Sequence, residues 1–153
     1  MADKISLAGW SINRRFRREQ DPLQLLDYPA LAKEEFGIEA VELNNPFFAS
    51  TEDAYLDQLV EAAKRAGVVF TGMAVDGTGN PAALDEDERK ASIEQIRPWF
   101  GISKRLGLPL FRVNTGGHGT EDDPKALEQC IKSFKELVKE AEATGVKLVI
   151  ENH

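Results

Sequence analysis

The chain has 153 residues, of which 42% are hydrophobic and 29% are charged, and its formal net charge is -7. This length and composition are ordinary for a globular protein with one core, so we expect a single domain over residues 1–153. The acidic balance argues against a nucleic-acid or anionic-membrane surface. No apolar run approaches membrane-spanning length, and the start of the chain lacks the layout of a secretion signal.

Cys130 is the only cysteine, which excludes an internal disulfide and fits a reducing compartment. We therefore expect a cytoplasmic protein. Cys130 falls on the apolar face of a predicted helix, which favours a place in the core over a role as a reactive thiol.

Five apolar segments of strand length follow one another along the chain, at residues 4–9, 40–43, 68–73, 110–113 and 147–150. Several are near-continuous apolar runs, which is typical of parallel strands. The clearest are the third and the fifth, which contain Val68-Val69-Phe70 and Leu148-Val149-Ile150.

Four helices are predicted between these strands, at residues 28–36, 52–66, from just after Asp85 to about residue 106, and from Pro124 onward. Asp85 and Asp123 are candidate N-caps, and Pro98 is expected to kink the third helix or to tighten one turn of it. The second and fourth helices each carry an apolar stripe, formed by Leu56, Leu59, Val60 and Ala63 in one and by Leu127, Cys130, Ile131, Phe134, Val138 and Ala141 in the other.

A glycine stands between each helix and the strand that follows it, and it recurs about every 30 to 40 residues at Gly37, Gly67, Gly107 and Gly145. This repeat predicts an α/β fold built from βα units. A complete eight-stranded βα barrel needs about 250 residues. We therefore expect a partial (β/α) barrel with five parallel strands and four helices that ends after the fifth strand.

Polar residues at the carboxyl ends of parallel strands are the first candidates for chemistry. Glu151 directly follows the fifth strand, where a carboxylate is a cation ligand, a general acid or base, or a structural acceptor. His153 falls on the same side of the strand and could share a metal with Glu151, although the last residue of a chain often frays. Asn152 is a candidate substrate hydrogen-bond partner.

Two charged residues interrupt apolar strands, Glu42 in the second and Arg112 in the fourth. A charge among core residues must be paired or neutralised, so we expect Glu42 and Arg112 to form an ion pair with each other. Either residue could instead bind a sugar hydroxyl. Asn44 and Asn114, which follow these strands, are further candidates for substrate binding.

Two ring-bearing residues complete the candidate site. Trp10 follows the first strand, where an aromatic side chain could stack on a sugar or cap the core. His118 lies in the glycine-rich loop 116–119, where it either touches a ligand or is exposed to solvent.

Three segments resemble the xylose isomerase-like TIM-barrel superfamily, which includes sugar-phosphate isomerases and epimerases. They are GIEAVEL at residues 37–43, IEQIRPWF at 93–100 leading into LGLPLFRVNTGG at 106–117, and VIENH at 149–153. The resemblance implies a barrel fold over the whole chain. It also implies action on a sugar or sugar phosphate by proton transfer next to a carbonyl.

The same resemblance implies that Glu151 is a ligand of a divalent metal (Mn²⁺, Mg²⁺ or Zn²⁺) and takes part in the proton transfer. The other implied ligands, an Asp, a His and a second Glu, come from later strands of the family's barrel. We therefore expect this chain alone to be inactive, and whether it holds a metal by itself stays open.

Two alternatives remain, a catalytically inactive half-barrel that serves as an assembly or folding unit and a metal-free sugar-binding module. A barrel that ends at its fifth strand exposes strand edges and apolar surface. We accordingly expect a homodimer or association with a second half-barrel.

Overall fold

The computed structural model describes residues 5–120 and 122–151, which form one parallel sheet with helices packed on it. The strands are β1 (Leu7–Ala8), β2 (Ala40–Asn44), β3 (Val69–Val75), β4 (Leu110–Asn114) and β5 (Lys147–Glu151). The helices are α1 (Asn13–Phe16), α2 (Tyr28–Phe36), α3 (Asp53–Ala66), α4 (Glu86–Ile96), α5 (Pro98–Arg105) and α6 (Pro124–Thr144). Short 3₁₀ turns at Gly9–Ile12 and Asn45–Phe47 follow β1 and β2.

The strands lie side by side in chain order, each parallel to the next, as the sequence predicts. Because crossovers between parallel strands are right-handed, strands laid down in one direction carry all their helices on one face. Val41, Leu43, Phe111 and Val113 point toward those helices and are fully buried in the core. The opposite surface, here called the inner face, carries the residues that alternate with them, such as Glu42 and Arg112.

The helix-to-strand glycines behave as predicted, since Gly37, Gly67, Gly107 and Gly145 all have φ between 65 and 76°. A side-chain-bearing residue is strained in this left-handed conformation. The third predicted helix is divided at Arg97 into α4 and α5, because Pro98 cannot donate to the preceding turn. No helix in the described ranges is long and apolar enough to cross a bilayer.

The predicted stripe of α6 is wrong for half of its residues. Leu127, Ile131 and Val138 are 63%, 45% and 45% exposed, while Cys130 and Phe134 are buried. Ala126 and Ser133 are buried instead, because the side of α6 that carries these small residues packs against α4. The apolar positions of α6 are too many to face the sheet together, so three of them form an exposed stripe.

Arg89 fixes the α4–α6 contact, and it is only 1% exposed. Its guanidinium donates to Glu86 through Nε at 3.0 Å and Nη2 at 2.9 Å, to Glu136 at 3.0 Å and to Ser133 Oγ at 3.0 Å. Ser133 in turn donates to the carbonyl of Pro81 at 2.7 Å. This network joins two helices and the loop after β3 through one buried cation.

Replacing Arg89 with Met keeps most of its bulk but removes the buried donor shared by Glu136 and Ser133, whereas Glu86 keeps its hydrogen bonds from Lys132. We expect Arg89→Met to lower the free energy of unfolding by about 3 kcal/mol, measured by urea denaturation. Arg105→Met is the matched control, because Arg105 makes exposed ion pairs with Asp53 and Asp57, and its loss should cost less than about 1 kcal/mol. Equal losses in the two variants would contradict the assignment.

Candidate active site

The carboxylate of Asp76, directly after β3, is the centre of a polar cluster at the carboxyl end of the sheet. Its Oδ2 accepts from Trp10 Nε1 at 2.9 Å, and its Oδ1 accepts from Arg112 Nη1 at 2.5 Å and from Asn114 Nδ2 at 3.1 Å. The backbone of Asp76 is held as well, because Asn45 accepts from its N–H and donates to its carbonyl. Asp76 therefore connects the ends of β1, β2, β3 and β4.

Arg112 extends this cluster to the last strand. Its Nε lies 2.8 Å from Glu151 Oε2 in an ion pair, and its Nη1 donates to Asn114 Oδ1 at 2.8 Å. Within the described part of the chain, Arg112 Nη2 and Glu151 Oε1 have no partner. Glu151 is 50% exposed, so this free N–H donor and this free carboxylate oxygen lie together at an open edge of the site.

The predicted ion pair between Glu42 and Arg112 is wrong. Arg112 is paired with Asp76 and Glu151 instead. Glu42 lies earlier on its strand, whereas Asp76 and Glu151 lie at the strand ends that the guanidinium reaches. Burial raises the pKa of Glu42, the charge of Arg112 lowers it, and Glu151 and Asp76 raise it further.

Trp10 forms an aromatic wall beside the cluster. Its ring meets Phe47 edge-on at 5.3 Å, and Phe47 stacks on Phe16 at 4.2 Å. The guanidinium of Arg17 lies 4.9 Å from the Trp10 ring centre. The indole is therefore fixed at one end by Asp76 and packed along its length, rather than free to rotate over the site.

Asn44 is fully buried at the end of β2. Its Oδ1 accepts from the backbone N–H of Trp10 at 3.1 Å, but its Nδ2 completes no hydrogen bond with the described residues. The Asn44 amide lies beside the Glu42 carboxyl and holds the pKa of that group slightly down. Glu42 and Asn44 thus lie together, next to the Asp76 cluster.

The structure brings Trp10, Arg112, Asn114 and Glu151 into one cluster, as the sequence positions suggest. His118 is exposed in its loop and is not part of the cluster. Asn152 and His153 lie outside the described residues, so their predicted roles stay predictions.

The sequence does not single out Asp76, because it follows β3 by one residue, next to a glycine-rich loop that resembles an ordinary turn. The signal was its position, since it is an acid directly after a strand.

The loops after β3 and β4 are locked to each other at the rim of the site. Asn80 Oδ1 accepts from the N–H of Gly117 at 2.8 Å and from that of Ala82 at 3.1 Å. A Cβ at Gly116 would lie 2.3 Å from the same oxygen, and Gly116 also has a φ of 73°. The two loops therefore fit together only without a side chain at position 116.

The residues present do not form a complete metal centre. Among residues 5–120 and 122–151, no group of three or more His, Cys, Asp or Glu side chains is placed to hold an ion. Glu151 could supply one carboxylate oxygen, but Arg112 already holds the other oxygen. The cluster can orient an oxygen-bearing ligand through the free Arg112 N–H, and it can exchange a proton through Glu151.

In Asp76→Asn the side chain keeps one acceptor oxygen and has no charge, whereas the Asp76 carboxylate accepts hydrogen bonds through both of its oxygens. We expect Asp76→Asn to lower the free energy of unfolding by about 2 kcal/mol and to shift the Trp10 Nε1–H resonance in NMR spectra. The Trp99 indole signal serves as an internal reference. In the control Asp57→Asn, which changes an exposed ion pair, the Trp10 resonance should stay in place. An unmoved Trp10 signal in Asp76→Asn would contradict the central role of Asp76.

Solved structures with the same fold include sugar epimerases. A 3-keto-D-glucoside 4-epimerase from E. coli matches with a TM-score of 0.73 at 14% identity, over 97% of this chain and 56% of its own. A D-psicose 3-epimerase from Clostridium cellulolyticum H10 matches with a TM-score of 0.72 at 19% identity, over 95% and 51%. A putative xylose isomerase from Rhodospirillum rubrum matches with a TM-score of 0.77 at 13% identity, over 96% and 53%.

The chain thus spans about half the length of the solved structures that it matches. No curated protein sequence matches it. A model of the xylose isomerase-like TIM barrel family matches residues 30–153, which is most of the chain and includes the ends of β2 to β5. The parallel sheet in chain order agrees with that match, and the chain belongs to the xylose isomerase-like TIM barrel family.

Proposed function

We propose that the chain is the N-terminal portion of a divalent-metal-dependent isomerase or epimerase of sugars or sugar phosphates. The reaction is proton transfer at a carbon next to a carbonyl. The observation that carries this proposal is the contact between Arg112 Nε and Glu151 Oε2, because it leaves a proton acceptor and an N–H donor side by side at the ends of β4 and β5.

In this proposal each residue of the cluster has one task. Glu151 Oε1 exchanges the proton, and Arg112 Nη2 donates to a substrate oxygen. Asp76 holds Arg112 in place, Asn114 forms hydrogen bonds with both Asp76 and Arg112, and Trp10 presents its ring to the sugar.

In the proposal Glu151 is also one metal ligand, and the remaining ligands come from outside the described residues. His118 and Asn152 are further substrate contacts, and His153 a further metal ligand. A cytoplasmic location fits the single, buried Cys130.

A second candidate is an assembly or folding unit without catalysis, which the exposed apolar stripe of α6 favours. A third candidate, a metal-free sugar-binding module, would use the same donors and acceptors without the proton transfer.

Proton transfer next to a carbonyl exchanges the transferred hydrogen with solvent. The assay mixes the chain with the carboxyl-terminal half of a structurally similar epimerase, Mn²⁺ and D-fructose in D₂O. We expect this mixture to introduce deuterium into D-fructose at the carbon next to the carbonyl, which NMR detects. The chain alone should be inactive. Glu151→Gln should abolish the exchange, because the amide cannot accept the proton.

The control is Glu142→Gln, which makes the same change on an exposed part of α6. Mixtures that bind D-fructose without exchange would favour the sugar-binding module, and mixtures that neither bind nor exchange would favour the assembly unit. Exchange that persists in Glu151→Gln would remove Glu151 from the proposed chemistry.

We also propose that the chain associates through its β5 side, either with a second copy or with a second half-barrel. β5 ends the sheet, and Val149 and Ile150 are 40% and 51% exposed. Leu127, Ile131 and Val138 add exposed apolar surface on α6, the helix that precedes β5. Large apolar side chains exposed in this number are typical of an interface.

Light scattering behind a sizing column should therefore give the mass of a dimer, or a complex when a second half-barrel is added. Ile131→Glu should return the chain to a monomer, because a charge in the apolar stripe cannot be desolvated cheaply. Lys139→Glu, a charge change on α6 outside the stripe, should leave the association unchanged. A monomer that binds no second half would contradict this proposal.

A further inference from the structure

Positive charge is concentrated in the segment of residues 13–23, which follows β1 at the carboxyl end of the sheet. The segment carries two carboxylates, Glu19 and Asp21, and twice as many arginines, which are Arg14, Arg15, Arg17 and Arg18. In a chain whose formal net charge is -7, this is a local excess of the opposite sign. Because the segment begins where β1 ends, the excess lies at the same end of the sheet as the Asp76 cluster.

The structure separates these arginines by what they contact. Arg15 is already paired, since its Nη1 donates to Glu35 on α2 at 2.6 Å. Its carbonyl accepts from the N–H of Leu23 at 3.0 Å, which closes residues 15–23 into a loop held at both ends. Arg14, Arg17 and Arg18, by contrast, are exposed and make no ion pair with the residues that the structure describes. These three are therefore accessible to a ligand.

Arg17 joins this loop to the candidate active site. Its guanidinium lies over the Trp10 ring, 4.9 Å from the ring centre, and the same indole donates to Asp76 at 2.9 Å. The face of an indole attracts a cation, so Trp10 orders the Arg17 side chain. A guanidinium over a ring keeps its N–H donors in its own plane, in a fork that matches the oxygens of a phosphate. Arg17 is thus positioned while its donors stay free.

Arg17 also borders an open cleft of about 260 Å³, whose other walls include Pro22, Phe47 and Phe48. One water molecule takes up about 30 Å³ of liquid, so the space beside the guanidinium accommodates a group much larger than a water. Phe47 is the residue whose ring meets Trp10 edge-on. The cleft and the Trp10 ring therefore share Arg17 and Phe47 as neighbours.

We propose that Arg17 binds the phosphate group of a sugar phosphate, with Arg14 and Arg18 adding positive charge around it. Phosphate suits these side chains, because it carries a charge of about -1.5 to -2 near neutral pH and three oxygens that accept hydrogen bonds. The acidic balance of the whole chain argues against a polyanion such as a nucleic acid. The inference rests on the proposed function and narrows its substrate class to phosphorylated sugars.

The contacts also orient such a substrate. Arg17 contacts Trp10, Trp10 donates to Asp76, and Asp76 is paired with Arg112 beside Glu151. The phosphate end then lies at Arg17 and the reacting carbon at Glu151, with the Trp10 ring between them. Charge favours the same orientation, because the carboxylates of Asp76 and Glu151 repel a phosphate at the opposite end.

The test is an NMR titration of the isotopically labelled chain with D-fructose 6-phosphate, D-fructose and inorganic phosphate at constant ionic strength. The side-chain signals of Arg17, Trp10 and Arg112 are followed, and a dissociation constant is obtained for each compound. We expect D-fructose 6-phosphate to bind about tenfold more tightly than D-fructose, because its phosphate adds hydrogen bonds between charged groups. All three signals should shift with the sugar phosphate.

Arg17→Gln should remove this preference for the phosphorylated sugar, because the amide has neither the charge nor the fork of donors. Arg65→Gln is the matched control. Arg65 is an exposed arginine of α3 that makes no ion pair within the described part of the chain, so the variant has the same net charge. The preference should stay about tenfold in Arg65→Gln, which separates a local contact from the overall charge.

Each outcome decides between the inference and the function on which it rests. If the two sugars bind equally well, or if Arg17→Gln keeps the preference, the phosphate subsite is refuted and the proposed function stands for unphosphorylated sugars. If D-fructose 6-phosphate, like inorganic phosphate, shifts Arg17 but not Arg112, the anion is bound apart from the candidate site and the inference is refuted. If no compound shifts any signal, the sugar site and the subsite both fall.

Discussion

The carboxylate of Asp76 is the interaction on which the rest of the site depends. One charge holds the Trp10 indole through Oδ2 and the Arg112 guanidinium and Asn114 amide through Oδ1. Because these groups lie at the ends of different strands, Asp76 fixes how the strand ends stand relative to one another. The Glu151 carboxylate is joined to the cluster through its ion pair with Arg112, so its position depends indirectly on Asp76.

The two faces of the sheet carry different kinds of side chain. The face toward the helices is filled by large apolar side chains such as Leu43, Met73 and Phe111. The inner face instead combines small residues such as Gly72 and Ala74 with charged ones such as Glu42 and Arg112.

The repeat of helix, glycine and strand was readable from the sequence because each glycine has a conformational reason to be there. The individual partners were not readable. Arg112 pairs with Asp76 rather than Glu42, which depends on how far a side chain reaches along a twisted sheet. The buried side of α6 could not be predicted either, because six apolar positions competed for one contact and Arg89 on another helix decided among them. Local patterns thus predict elements, while long-range side-chain contacts decide the site.

The fit between Asn80 and Gly116 has a consequence for how this rim can evolve. A side chain at position 116 would collide with Asn80 Oδ1 and would also need an unfavourable φ, so it cannot appear first. A change at Asn80 could occur first, at the cost of its bonds to Gly117 and Ala82. Such a change would not free position 116, because Pro81 Cδ at 3.0 Å, the Asn80 Cα at 3.1 Å and the φ of 73° remain, so position 116 stays glycine and this part of the rim can vary only through position 80.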